Sequence, residues 1–292
     1  MSNAIDADLI KTPARVVLAT DLSARCDRAL DRSVYLSRMW GSQLTAVTVT
    51  DPTTPLHQSV MWLEGQDEGA MLRLAHTQLR HDVPATDVPI NFRFMKGTDT
   101  AGQIRAVVQE KQADLVVVAV SHNEPFGRFV LGSTVESLAQ TVKVPILIVR
   151  QRALGPYRKI IVGTDFSPAS RRALQLADVM FAQQVLTLYH ARNPARGMSR
   201  PDAEQLIRIN QEIIAQMRTF LEETPNLSEP QLVRPVAETG VFVRQLLSRV
   251  LEQETDLVVL GNRGAGGIKS LLLGSASGQL LQWLPCDVLL VP

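Results

Sequence analysis

The stretch GNRGAGGIKSLLLGS, Gly261 to Ser275, holds the residue types whose spacing could do chemistry. Five glycines fall within these fifteen residues, with Lys269 among them and a Gly-Ser pair closing the run. Glycine has no Cβ, so main-chain N–H groups can approach a ligand that a side chain would hold away. A helix opening at Ser275 would add unpaired N–H donors and a partial positive charge, both suited to an anion. Ser275 and Ser277 supply hydroxyl donors, and Lys269 could neutralise one phosphate charge. These are the parts of a phosphate cradle. The spacing, Gly261-x-x-Gly264, nine residues, then Gly274-Ser275, is not that of a Walker loop, nor of a GxGxxG dinucleotide fingerprint after a first strand. The bland reading of the same glycines is a tight turn that binds nothing, so their place in the fold has to decide.

That place follows from a duplication. RVVLATDLSARCDRAL (Arg15 to Leu30) returns as KIIVGTDFSPASRRAL (Lys159 to Leu174), and ADLVVVA (Ala113 to Ala119) as TDLVVLG (Thr255 to Gly261). FVLGSTVESL returns as LLLGSASGQL, and VPILIV is matched by CDVLLV. The pairs keep their order at offsets of about 142–144 residues, which describes two tandem domains rather than a solenoid. The Gly-Pro breaker in Gln151–Pro156 reads as the linker and predicts domains of residues 1–152 and 153–292.

Within each copy, strand and helix patterns alternate. In the first, strands are expected at Arg15–Thr20, Leu44–Thr50, Val88–Met95, Leu115–Val120 and Ile146–Val149. Helices are expected at Arg25–Trp40, started by Asp21 and Ser23 as caps, and at Ser59–His81, Gly102–Gln112 and Ser133–Val142. In the second, Leu206, Ile209, Ile213, Met217 and Phe220 set the spacing of a helix over Asp202–Glu223. Strands apolar at successive positions, such as LVVVAV, are covered on both faces. The expectation is an α/β fold: two tandem open parallel five-stranded sheets, Rossmann-like, with helices on both faces. Ligands of such sheets lie beyond the carboxyl ends of the strands, where the glycine-rich run sits.

The totals exclude several classes. Thirty basic against twenty-nine acidic side chains give a net charge of +1, so no global field draws the chain to nucleic acid or anionic lipid. Two distant cysteines, Cys26 and Cys286, argue against a disulfide framework or zinc site. The amino terminus lacks a signal-peptide pattern and no run reaches the ~18 apolar residues of a membrane helix, so the cytoplasm is the expected location. The five histidines show no HxxxH or HExxH spacing, and His76 and His81, five apart and so not on one helix face, are expected at the surface rather than on a metal. Neither Ser23 nor Ser167 sits in a GxSxG elbow, and GTDFSPAS lacks the SGGxDS-like loop of adenylating enzymes of similar architecture.

The motif Gly261-x-x-Gly264-(nine)-Gly274-Ser275, together with Val162-Gly-Thr-Asp165-Phe-Ser167 on the first strand of its copy, resembles that of the nucleotide-binding universal stress proteins. The resemblance covers both copies and nearly the whole chain. It implies that Asp165 contacts the adenosine part with Thr164 beside it, that the main chain of Ala191 reads the adenine edge, and that Leu260 lines the base pocket. It further implies that Gly261 and Gly264 let the chain wrap the ribose and phosphates, and that Gly274, Ser275, Ala276 and Ser277 bind the phosphates. An Asp after an apolar strand also reads as a helix cap, a role Asp165 can combine with the other.

The first copy departs from the motif, with Ala119 and His122 in place of Gly261 and Gly264, and Glu124-Pro125 in place of two small residues. Gly132-Ser133 and Asp21 persist, so the scaffold is kept while the cradle is damaged. Loss of nucleotide binding there is the expectation; a different small ligand using His122 and Arg128 is the alternative. In the family the last strand forms the dimer contact, which implies that Ile146–Val149 and Val288–Val291 make an internal pseudo-dimer, with a homodimer of whole chains left open. The function expected is a cytoplasmic stress-response protein whose second copy binds ATP, with or without Mg, or a related adenine nucleotide, as a switch or sensor with no catalytic residue and no metal site. An interaction module with vestigial nucleotide sites and a slow ATPase remain the alternatives.

Overall fold

The computed structural model describes residues 10–24, 26–50, 87–120, 131–193, 202–261 and 280–292, together with the single helical positions Gly69, Arg73 and Thr77. Most of the expected helix Ser59–His81 therefore lies outside the described residues, as do His122, Glu124, Pro125 and Arg128. The chain divides into two compact units, one of Pro13–Pro156 with Leu281–Leu290, the other of Tyr157–Leu280.

In the first unit the strands are β1 (Arg15–Ala19), β2 (Gln43–Thr50), β3 (Ile90–Lys96), β4 (Leu115–Ala119) and β5 (Ile146–Val149). Helices α1 (Asp27–Trp40), α2 (Thr100–Glu110) and α3 (Ser133–Thr141) connect them among the described residues. Val16, Val17 and Leu18 are buried in succession, as both-face coverage requires. The carboxylate of Asp114, just before β4, accepts from the Ala14 and Arg15 N–H groups at 3.0 and 2.9 Å and so fixes the start of β1. Gly41 ends α1 at φ +68°, a left-handed conformation open to glycine at no steric penalty.

The second unit repeats the plan with β6 (Ile160–Gly163), β7 (Leu186–Arg192), β8 (Val233–Thr239) and β9 (Leu257–Gly261). Its helices are α4 (Pro168–Met180), α5 (Ala203–Glu222) and α6 (Phe242–Gln253). Asp256 does for β6 what Asp114 does for β1, accepting from the N–H groups of Arg158 and Lys159 at 2.8 and 2.9 Å. Helix α5 begins in a reciprocal capping box: the Gln205 N–H donates to Asp202 Oδ1 at 2.8 Å and the Asp202 N–H to Gln205 Oε1 at 3.1 Å. Of the periodic residues, Ile213, Met217 and Phe220 are buried; Leu206 and Ile209, nearer the amino end, are half-buried.

The α/β class and the parallel order are as expected, but the strand count per sheet is not five and five. The tenth strand, β10 (Asp287–Val291), follows a short helical turn, α7 (Leu280–Trp283), and pairs antiparallel with β5. Val288 stands opposite Ile148, Leu289 opposite Leu147 and Leu290 opposite Ile146. The first unit thus has the order β3-β2-β1-β4-β5-β10 and the second β9-β6-β7-β8. Two apolar edges expected to pair have done so.

Charge fixes the arrangement as well as apolar contact. The fully buried Asp287 accepts from the N–H groups of Arg150 and Gln151 through Oδ1, at 2.7 and 2.9 Å, while its Oδ2 lies 3.7 Å from Arg32 Nε. The Arg150 guanidinium donates to the carbonyls of Leu281 and Cys286, and Arg32 donates to Gly155 O at 2.8 Å. Burial lowers the Arg150 pKa to about 10, with Cys286 and Asp287 opposing that shift. Removing one member of a buried pair of this kind typically costs about 3–5 kcal/mol.

Candidate functional site

Beyond the carboxyl end of β6 the chain makes a compact loop, Thr164–Ser167, held from three sides. The Thr164 N–H donates to Tyr189 O at 2.9 Å, the last rung of the β6–β7 ladder. The Thr164 hydroxyl oxygen accepts from the Phe166 N–H at 3.0 Å and lies 3.0 Å from Ser170 Oγ. Since the Ser170 hydroxyl donates to Ser167 O at 2.9 Å, Thr164 is the donor of the hydroxyl pair. Phe166 takes φ +62°, an uncommon conformation for a non-glycine residue, and this turns the chain into α4. The Asp165 carboxylate then accepts from the Ser167 N–H at 3.1 Å, an Asx turn, and remains exposed. The helix cap is Ser167, whose Oγ accepts from the Ser170 N–H at 3.2 Å, with Pro168 in the first turn. The expected cap role of Asp165 is corrected: the left-handed residue between them hands the cap to Ser167.

Consecutive residues of β7 point to opposite faces of the sheet. On one face the Tyr189 ring meets Phe242 of α6 at 5.8 Å, and its hydroxyl donates to Glu238 Oε2 at 2.8 Å. Arg249 donates to the same carboxylate through Nε at 2.8 Å, tying α6 to β8. Burial first, and the Glu238 contact second, raise the Tyr189 pKa, so the phenol stays protonated. On the other face His190 stacks against Phe166 at 4.6 Å, and Phe166 meets Phe220 of α5 edge-on at 5.8 Å. His190 Nδ1 lies 2.7 Å from Thr164 O. A carbonyl only accepts, so Nδ1 carries the proton and the neutral ring leaves Nε2 as an acceptor. Burial lowers the His190 pKa and Arg192 adds to that, against the Thr164 carbonyl and Asp165, which raise it.

The described members of the sequence-derived set take different parts. Strand β7 runs past the end of β6 to Arg192, and its Gly163–Tyr189 and Ala191–Glu238 registers set the parity of the ladder. Tyr189 directs its N–H and C=O toward β6, so Ala191, two residues on, directs its own to the same side, beyond the last rung and above the Asp165 loop. Leu260 is buried, and its side chain fills the space beside Gly163 with Phe242; a Cβ on Gly163 would stand 2.7 Å from Leu260 Cδ2. A Cβ on Gly261 would stand 2.6–2.8 Å from the Ala169–Ser170 peptide of α4. The absent side chain of Gly261 thus has a packing cause. Thr164 is buried, with its hydroxyl engaged in building the loop. Gly264, Lys269, Gly274, Ser275, Ala276 and Ser277 lie outside the described residues.

The first unit builds the same loop. Thr20 N–H donates to Val47 O at 3.0 Å, Leu22 N–H to Thr20 Oγ1 at 3.0 Å, and Ser23 N–H to Asp21 Oδ1 at 2.9 Å. Leu22 takes φ +59°, as Phe166 takes +62°. Here Asp21 and Ser23, expected as caps, do not cap: α1 begins at Asp27 after Cys26, with no side-chain cap bond. Asp21 instead accepts from the Ser23 hydroxyl at 2.6 Å and from Cys26 Sγ at 3.2 Å. Burial opposes the Asp21 charge, but these hydrogen bonds outweigh it and lower the carboxyl pKa. Burial raises the Cys26 pKa to about 11, so the thiol is protonated. His190, half-buried against the loop, was not singled out by the sequence reading; its signal is its place beside Ala191 at the end of an apolar strand.

Among the described residues, no cluster of three or more His, Cys, Asp or Glu side chains converges on a metal position. Nor, among them, is any helix long and apolar enough to cross a membrane. A model of the universal stress protein family matches the chain twice, over residues 13–150 and 156–292. A universal stress protein of Mycobacterium tuberculosis is 26% identical over 293 residues, 90% of this chain and 94% of its own. The crystal structure of a universal stress protein from Archaeoglobus fulgidus aligns with a TM-score of 0.65 at 20% identity, covering 95% of this chain and 98% of that one. A universal stress protein solved in complex with cAMP is 26% identical across 48% of this chain and 98% of its own, with a TM-score of 0.35. The Archaeoglobus likeness is one of fold, and the doubled family match is consistent with an internal pseudo-dimer.

Proposed function

This chain belongs to the universal stress protein family, and from that premise we propose that its second unit binds ATP or a related adenine nucleotide and acts as a nucleotide-dependent switch or sensor. The observation that carries the reading is the overhang of β7: Ala191 offers an N–H and a C=O side by side above a loop that presents the exposed Asp165 carboxylate. An adenine edge has a ring nitrogen acceptor beside an amino donor, which such a main-chain pair matches. A carboxylate at Asp165 can accept from ribose hydroxyls, so the described residues fit the nucleoside part. The phosphates fall to Gly264, Lys269, Gly274, Ser275, Ala276 and Ser277, on the strength of the motif. Leu260 and Gly261 support that site by packing β9 against α4 and α6.

Bound ATP, with or without Mg, supplies a signal rather than a reaction, with hydrolysis slow at most. Residence in the cytoplasm and pairing of the two copies as a pseudo-dimer belong to the same reading, while the first copy, with Ala119 for Gly261, serves as scaffold. Mass spectrometry of material released on denaturing the purified protein, with a thermal-shift titration using ATP, tests it. A hundredfold excess of ATP over Kd should stabilise by about 2.7 kcal/mol, and Gly264→Trp should abolish the shift. Absence of both nucleotide and shift would favour the interaction-module alternative.

A further inference from the structure

We propose that His190 is the positioning residue of the adenosine loop in the second unit: its Nδ1–H holds the Thr164 carbonyl while its ring braces Phe166, presenting Asp165 to the ligand. The inference rests on the nucleotide reading above and adds a residue that the motif does not contain.

The two units make the case between them. In the first, the Thr48 hydroxyl donates to Thr20 O at 2.8 Å; in the second, His190 Nδ1 donates to Thr164 O at 2.7 Å. Both carbonyls sit at the end of the first strand of their unit, one residue before the loop carboxylate, and both loops continue through a left-handed residue. The anchor is therefore a required part of the loop that two different side chains supply. A carbonyl at that point has left the strand ladder, and without a donor it would be a buried acceptor with no partner. What differs is the bracing: the His190 ring also stacks on Phe166 at 4.6 Å, where the first unit has Thr48 and Leu22 at the corresponding positions. Phe220, 3% exposed, also meets Phe166 edge-on, so the left-handed residue packs against two aromatic rings. The groups that bear charge nearest the imidazole are Arg192 on its own strand and Asp165 on the loop. Arg192 is occupied by Gln216 at 2.8 Å and Glu212 at 3.4 Å, both from α5, and so is drawn away from the loop.

The test uses the full chain and a matched pair of substitutions, His190→Val and His190→Thr, which differ by one hydroxyl and have nearly the same shape. Hydrogen exchange of the Phe166 and Ser167 amides reads the loop, and the Kd for ATP reads the site. His190→Val should speed exchange at both amides and weaken ATP binding roughly tenfold, the scale of one buried hydrogen bond. His190→Thr, copying the Thr48 anchor, should restore slow exchange and most of the affinity. Equal behaviour of the two variants on both readouts, or wild-type behaviour of His190→Val, would overturn the proposal. Should the wild-type chain bind no ATP, the nucleotide reading fails, and the exchange contrast alone decides whether His190 holds the loop.

Discussion

The loops Thr20–Ser23 and Thr164–Ser167 share their backbone turns and most of their hydrogen bonds, yet only the second leads at once into a helix. Pro168, the first residue of α4, aligns with Ala24, whereas α1 does not begin until Asp27. The two units also differ at the end of the strand beside the loop. Gly261 leaves room for the first turn of α4 to settle onto the end of β9; Ala119 stands at the same place in the first unit. In the first unit α1 starts without a side-chain cap, and Asp21 accepts from the nearby donors instead.

The largest effect should come from breaking that contact. Gly261→Val forces a side chain into the Ala169–Ser170 peptide and should destabilise the second unit by about 1–3 kcal/mol, the usual penalty for overpacking. Ala119→Gly should cost the first unit only about 0.5–1 kcal/mol of backbone entropy. Denaturant melts of the two variants measure the contrast, and equal losses would remove Gly261 as its source. Next in size is the cap: Ser167→Ala should cost about 1 kcal/mol, and Ser23→Ala within about 0.5 kcal/mol, compared by the same melts.

The smallest effect is one of pH. The folded state lowers the His190 pKa, so between that value and the unfolded one near 6.5 only the unfolded chain binds the extra proton. Stability from this group is therefore complete above the unfolded pKa and is lost as pH falls through the folded one. Partial exposure screens the effect and keeps it below that of the cap. His190→Thr should flatten this part of the stability profile between neutral and mildly acid pH, while Thr48→Val should leave its slope unchanged.

Much of this was legible in the sequence because duplication is visible as text. The repeated strands gave their own boundaries, and runs such as Leu115–Ala119 could only be strands covered on both faces. The caps were misread because Asp21 and Asp165 look like N-caps until a left-handed residue follows, and no local rule assigns that conformation to Leu22 or Phe166. The pairing of β10 with β5 followed from the family resemblance rather than from the apolar run itself, which announces an edge but not its partner. The accompanying contact of Asp287 with Arg150 and Gln151, more than 130 residues away in sequence, left no pattern to read. His190 escaped notice because its partner is a main-chain carbonyl, which leaves no trace in side-chain spacing.

The route of the chain has a bearing on how the protein comes to be made. Residues 281–290, which finish the sheet of the first unit, leave the ribosome only after residues 157–280. During translation β5 therefore waits as a bare edge, open to pairing with a neighbouring nascent chain. The half that emerges first is completed second, and any slowing of synthesis between the two lengthens the interval in which that edge is unguarded.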